Sequence, residues 1–271
     1  MTRQLPSGAC DCHFHVFDER FPFVSNAVFQ PPPASLDDYL ALAAALGLER
    51  AVVVHPSPYG TDNRCSLEVV GRLGPQGRAV AVVDDTVTEA ELRRLHGLGV
   101  RGIRFNLVQA GATTIEMLEP LARRVADLGW HVQLHMLGAK IAEHAALLAS
   151  LAAPIVFDHG GRIPLPEGRD HAGWRALRGL VDAGRTWVKL SAPYQDSKLG
   201  APGYDDMLAL GRDLVTAAPQ RMLWGSDWPH VTEAAKPEAR PLLDYLYNCV
   251  DSDADLALIL RDNPAEVYGF G

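Results

Sequence analysis

Asp11-Cys12-His13-Phe14-His15-Val16-Phe17 is the stretch on which the reading of this chain turns. It has the pattern of a short strand, and two histidines one residue apart on a strand point to the same face. Paired imidazoles on an inward face can hold a metal or jointly polarise a carbonyl. The stretch also occupies the place where an open doubly wound sheet would carry a glycine-rich phosphate turn after its first strand. No such turn is found there or further on.

Moving outward, short apolar runs ending in a polar residue recur at 50–55, 79–84, 100–106, 131–135, 155–159, 186–191 and 221–227. Arg50-Ala51-Val52-Val53-Val54-His55 is typical, and a continuous apolar run of this kind suits a strand covered on both faces. Between the runs, helical spacing predicts helices at 36–47, 63–73, 89–96, 115–128, 139–151, 174–183 and 204–217, with two more closing the chain at 241–250 and 254–260. The excursion through Pro31-Pro32-Pro33 is a loop. About eight strand–helix alternations predict an α/β fold, a single (β/α)8 TIM barrel with an extra C-terminal helix and residues 1–271 as one domain.

Composition excludes several function classes. The chain has 271 residues, 48% of them hydrophobic, and a formal net charge of -8. With no basic run, nucleic acid is not an expected partner. No apolar run reaches the length of a membrane span, and Met1-Thr2-Arg3-Gln4-Leu5-Pro6 lacks the apolar core of a secretory signal. The four cysteines are not framed for disulfides, so a cytoplasmic setting is expected. Nothing in the pattern speaks to oligomeric state.

A barrel of this kind carries its active site at the C-terminal ends of its strands. Taken in order, those ends present His13 and His15; Ser57, Tyr59 and Thr61; Arg104 and Asn106; His135; His159 with Arg162; Ser191 and Tyr194; and Asp227 with His230. Chance rarely collects so many titratable groups at equivalent positions.

At these residues the chain resembles the amidohydrolase superfamily, marked by His-x-His on the first strand and an aspartate on the last. Gly60-Thr61-Asp62-Asn63, Arg101-Gly102-Ile103-Arg104-Phe105-Asn106, Asp158-His159-Gly160-Gly161-Arg162 and Gly225-Ser226-Asp227-Trp228-Pro229-His230 together are similar to its 2-pyrone-4,6-dicarboxylate lactonase branch. The resemblance implies a hydrolase that opens a carboxylated or polyhydroxylated lactone, a small-molecule substrate, by attack of water. Asp227 would be the general base, and His13, His15 and His159 would activate the carbonyl. Arg104 and Arg162 would hold a substrate carboxylate, with Ser57, Tyr59, Thr61, Tyr194 and His230 as further substrate contacts. A zinc-dependent decarboxylase or lactone isomerase, or a non-catalytic carboxylate-binding barrel, are the alternatives.

Two departures bear on these expectations. Where the dicarboxylate enzymes carry basic residues, this chain has Val108-Gln109 and, after the seventh strand, Tyr194-Gln195-Asp196. A lactone with one carboxylate or several hydroxyls is therefore favoured. The second departure is His135, at a place where the metal-independent lactonases tend to have tyrosine. His13, His15, His135 and Asp227 make a set suited to a single Zn2+. The resemblance favours hydrolysis with no cofactor over this metal-bound alternative.

Overall fold

The computed structural model describes residues 3–109 and 111–271. Eight parallel strands form one sheet in sequential order: β1 (Cys10–Phe14), β2 (Arg50–Val54), β3 (Gly77–Ala81), β4 (Val100–Asn106), β5 (His131–His135), β6 (Ile155–Phe157), β7 (Thr186–Leu190) and β8 (Met222–Trp224). The chain beyond β8 returns to β1. Asp227 N donates to His13 O and His15 N to Trp228 O, both at 2.8 Å, and Phe14 bridges Trp228 in parallel. Helices such as Leu36–Leu46, Leu118–Ala126 and Ala172–Asp182 alternate with the strands, as a right-handed (β/α)8 barrel requires. Among the described residues no helix is long and apolar enough to cross a membrane.

Local chemistry explains the boundaries. Ser35 caps the first helix reciprocally with Asp38, and Gly47 ends it in the left-handed conformation. The helix expected at 139–151 is two, Gly138–Glu143 and Ala145–Ser150, broken at His144, whose ψ of 15° leaves helical space. The strands expected at 155–159 and 221–227 stop early, at Phe157 and Trp224, because the following residues turn out of the ladder. His159 and Asp227 have φ of 52° and 57°, which no strand tolerates. After Ala239–Cys249 the chain closes with Asp253–Ala257, a wider turn at Leu258–Asp262, and Asn263–Tyr268. Asn263 Nδ2 donates to Pro219 O and Met222 O, fastening this end beneath β8. Tyr268 packs there, edge-on to His131, within a cluster containing Cys10, Cys12, Val52 and Val54.

Candidate active site

The closure between β8 and β1 is held by a buried carboxylate. Asp11 accepts from Ser226 Oγ at 2.6 Å, Ser226 N at 2.9 Å, His13 N at 3.0 Å and the Tyr39 hydroxyl at 3.2 Å. Burial pushes its pKa up to about 6, and those donors restrain the rise. Gly225 makes the close approach possible, since a Cβ there would lie 2.5 Å from His13 Cβ. With β8 and β1 stapled in this register, Asp227 faces the two histidines.

Asp227 Oδ1 is the point of convergence. It lies 3.4 Å from His13 Nε2, 3.6 Å from His15 Nε2 and 3.8 Å from His159 Nε2, and all four residues are buried. Its other oxygen, Oδ2, accepts a 2.5 Å hydrogen bond from the Tyr194 hydroxyl, and that hydroxyl is 3.2 Å from His230 Nδ1. Asp227 is thus clamped on one side and presented to the imidazoles on the other.

Each imidazole is oriented through its second nitrogen. His15 Nδ1 donates to Val54 O at 2.7 Å, which turns Nε2 toward the cluster. His159 Nδ1 meets Ser191 Oγ at 2.9 Å. His13 Nδ1 lies between Asp158 Oδ1 at 3.2 Å and Lys189 Nζ at 3.3 Å. Lys189 also donates to Gln133 Oε1 at 2.7 Å, and Arg104 Nε donates to Asp158 Oδ2 at 3.1 Å. A layer of paired charges therefore lies directly beneath the imidazoles.

Burial lowers the pKa of His159, and of His13 well below the ordinary value, so both favour the neutral form. Burial opposes ionisation of Asp227, but the surrounding His159, His15 and His13 outweigh it and hold the carboxyl well below its usual range. His159 and Asp227 adopt left-handed backbone conformations that cost non-glycine residues about 1 kcal/mol or more each. Such strain persists where the surroundings dictate side-chain direction.

The His13, His15 and Asp227 atoms also suit an ion. The two Nε2 atoms are 3.3 Å apart, and each is 3.4 Å or 3.6 Å from Asp227 Oδ1. A tetrahedral ion with bonds of about 2.0–2.1 Å separates its ligand atoms by about 3.3–3.4 Å. The residues present fit a divalent metal.

The protein-family model described as "Amidohydrolase" matches residues 10–270. This chain belongs to the amidohydrolase family. Among the relatives of this amidohydrolase is a 4-sulfomuconolactone hydrolase of Rhizobium radiobacter, 36% identical over 98% of this chain and 91% of that protein. A 2-pyrone-4,6-dicarboxylate hydrolase of Comamonas testosteroni is 33% identical, over 98% and 91%. The crystal structure of a putative 2-pyrone-4,6-dicarboxylic acid hydrolase from Pseudomonas putida superposes with a TM-score of 0.85 at 32% identity, covering 98% of this chain and 99% of that one.

The remaining candidates in this amidohydrolase divide. Arg104, Ser57 and His135 line a small cavity of about 40 Å³ above Asp227, together with His15 and His159. Asn106 lines it too, and its Nδ2 donates to Ser57 Oγ at 2.9 Å. Thr61 lines a neighbouring chamber instead. Tyr59 is corrected: it is fully buried, and its hydroxyl is engaged with Asp18 N and Asp18 O among Phe17 and Phe23. Tyr194 contacts Asp227 through its hydroxyl, and His230 Nδ1 meets that same hydroxyl rather than Asp227 itself.

The four-ligand set is also corrected. A guanidinium can only donate, so His135 Nε2 accepts from Arg162 Nη1 at 3.1 Å and its lone pair is taken. Among the described residues, the convergent ligand sets are His13, His15 and Asp227, and His13, Asp158 and His159, both without His135. Arg162 gives its Nε to Asp196 Oδ2 at 2.7 Å, so a carboxylate of the protein already occupies the anchor expected for substrate.

Asp158, Lys189 and Gln133 escaped the sequence reading as site residues. Lys189 had a signal, being the sole charge within the apolar run Thr186-Trp187-Val188-Lys189-Leu190. A lone charge in a fully covered strand must have a partner inside the barrel.

The clamp on Asp227 makes a prediction. Tyr194→Phe should lower kcat roughly 10- to 100-fold with KM little changed, because the ring packing stays while one charge-assisted hydrogen bond is lost. Steady-state kinetics check it; a raised KM with unchanged kcat would assign Tyr194 to substrate binding instead.

Proposed function

We propose that this amidohydrolase opens a carboxylated cyclic ester by attack of water, with Asp227 as general base. The observation that carries the reading is the convergence of His13, His15 and His159 Nε2 on Asp227 Oδ1, within 3.4–3.8 Å, beside a cavity lined by Arg104. The relatives named as lactone hydrolases support the same reaction class.

The steps follow from the residues. A substrate carboxylate pairs with the Arg104 guanidinium, whose planar fork matches two oxygens. That contact sets the ring carbonyl among the imidazoles. Asp227 takes a proton from water as the water oxygen bonds to the carbonyl carbon. Charge developing on the carbonyl oxygen is stabilised by the Nε2–H of His159, whose Nδ1 is held by the Ser191 hydroxyl, so little reorganisation is needed at the moment of reaction. The ring C–O bond then breaks, and protonated Asp227 returns its proton to the departing oxygen. The product is an open-chain hydroxy acid or its keto tautomer. A divalent ion held by His13, His15 and Asp227 would supply Lewis-acid polarisation of the carbonyl. Four free, buried cysteines suit a reducing cytoplasm.

The test is acid release from carboxylated lactones followed at constant pH, on protein purified without chelator and again after chelation, with metal content measured in both states. Acid release matched by uptake of solvent oxygen is the expected result. The spacing of the ligand atoms leads us to expect a near-stoichiometric divalent ion whose removal lowers kcat. Full activity without metal would leave the imidazoles as the whole polarising machinery. Carbon dioxide release, or an isomer formed without net water uptake, would overturn the hydrolase reading.

A further inference from the structure

The cavity above Asp227 adjoins a second chamber of about 190 Å³, and Phe29, Ser57 and Gln109 line both. The inner space alone, about 40 Å³, is too small for more than the reacting end of a substrate. The outer chamber offers room for what the ring carries. Its polar walls are Asn26, Ser57, Thr61, Gln109 and one carboxylate, Asp84, set among apolar residues such as Val24, Val28, Phe29 and Pro58. Asp84 is already oriented, with Oδ1 accepting from Thr86 N at 3.0 Å and from the Thr86 hydroxyl at 2.5 Å. Among the described residues, no cation lines the outer chamber, and Arg104 is the one cation lining the inner space.

We propose that the substrate is a singly charged lactone with one carboxylate, for Arg104, and with hydroxyls, on ring or side chain, that face Asp84 in the outer chamber. The inference rests on the lactone-hydrolase reading and narrows its substrate class. A carboxylate accepts two hydrogen bonds from neighbouring hydroxyls, and Asn26, Thr61 and Gln109 can both donate and accept. A second carboxylate in the same chamber would face Asp84 with no compensating cation and would shed water without a partner. Gln109 and Gln195 stand at the cavity wall as neutral amides, so neither restores the missing charge.

The experiment compares kcat/KM for a hexaric acid 1,4-lactone (one carboxylate and several hydroxyls), muconolactone (one carboxylate, no hydroxyl) and 2-pyrone-4,6-dicarboxylate. Wild type should prefer the hexaric lactone over the dicarboxylate by roughly tenfold or more. The double variant Asp84→Asn with Gln109→Arg should narrow or reverse that ratio, with circular dichroism confirming an unchanged fold. Faster opening of the dicarboxylate by wild type, or a ratio indifferent to the double variant, would overturn the inference while leaving the lactonase reading intact. Opening of muconolactone but not of the hexaric lactone would likewise remove the recognition of hydroxyls by the outer chamber. If well-folded protein opens none of the three, the lactonase reading falls and the inference falls with it.

Discussion

Asp227→Asn should reduce kcat by about 10³-fold, within the 10²–10⁴ range that a positioned general base contributes. Asparagine is nearly isosteric and can still accept from the Tyr194 hydroxyl at the place of Oδ2, so the closure of β8 on β1 through Asp227 N and His13 O should survive. What is lost is the acceptor at Oδ1, where His13, His15 and His159 converge. The loss should fall on kcat with little change in KM, because in the proposed mechanism Asp227 acts on water while Arg104 holds the substrate. Metal content measured on the same variant separates loss of the base from loss of a ligand. A variant that turns over at the wild-type rate would remove Asp227 from the mechanism altogether.

Lys189→Met should be the most destabilising single change near the site. Lys189 and Asp158 are both fully buried, with Nζ 3.5 Å from Oδ1, and Lys189 also reaches Gln133 and His13. Removing one partner of a buried ion pair leaves the other charge uncompensated and costs about 3–5 kcal/mol. Asp158 keeps Arg104, which favours the lower end of that range. In a chain of this length the lower end corresponds to roughly 6–12 °C in Tm. Thermal and urea unfolding check it, and a change below about 1 kcal/mol would mean that water or relaxation already screens the pair.

The same network sets a pH dependence with a definite sign. Burial by itself would raise the Asp158 pKa, but His13, Lys189 and Arg104 together hold it well below the ordinary carboxylate value. A carboxyl depressed on folding stabilises the protein above its unfolded pKa, about 3.9. That stabilisation is lost as pH falls through the folded value. Asp158 therefore contributes fully at neutral pH and weakens the fold only in strong acid.

Much of this protein was legible in its sequence, for reasons that can be named. The barrel follows from the spacing of short apolar runs, because a strand covered on both faces is predominantly apolar and a parallel neighbour requires a helix between. The runs at Val100–Asn106 and His131–His135 matched the strands to the residue. His13, His15, His159 and Asp227 were legible as a group because the barrel gathers equivalent strand ends, whatever the loops do. Boundaries were less legible where a left-handed residue ended a strand, as at His159 and Asp227. Those conformations are imposed by the surroundings and not by the residue's own preference.

By itself, then, the sequence determined which strands exist, their order around the barrel and which polar residues lie at its catalytic end. The tertiary structure alone decided how those residues are shared out. It placed Asp196 on Arg162, Arg162 on His135, and Asp158 with Lys189 beneath His13. It also set the Tyr194 hydroxyl between Asp227 and His230. Each of these pairs a charge or a lone pair with a group 27 to 176 positions away. Pattern along a chain reports which face a side chain takes, whereas the partner it meets there is chosen by the packing of other strands and loops.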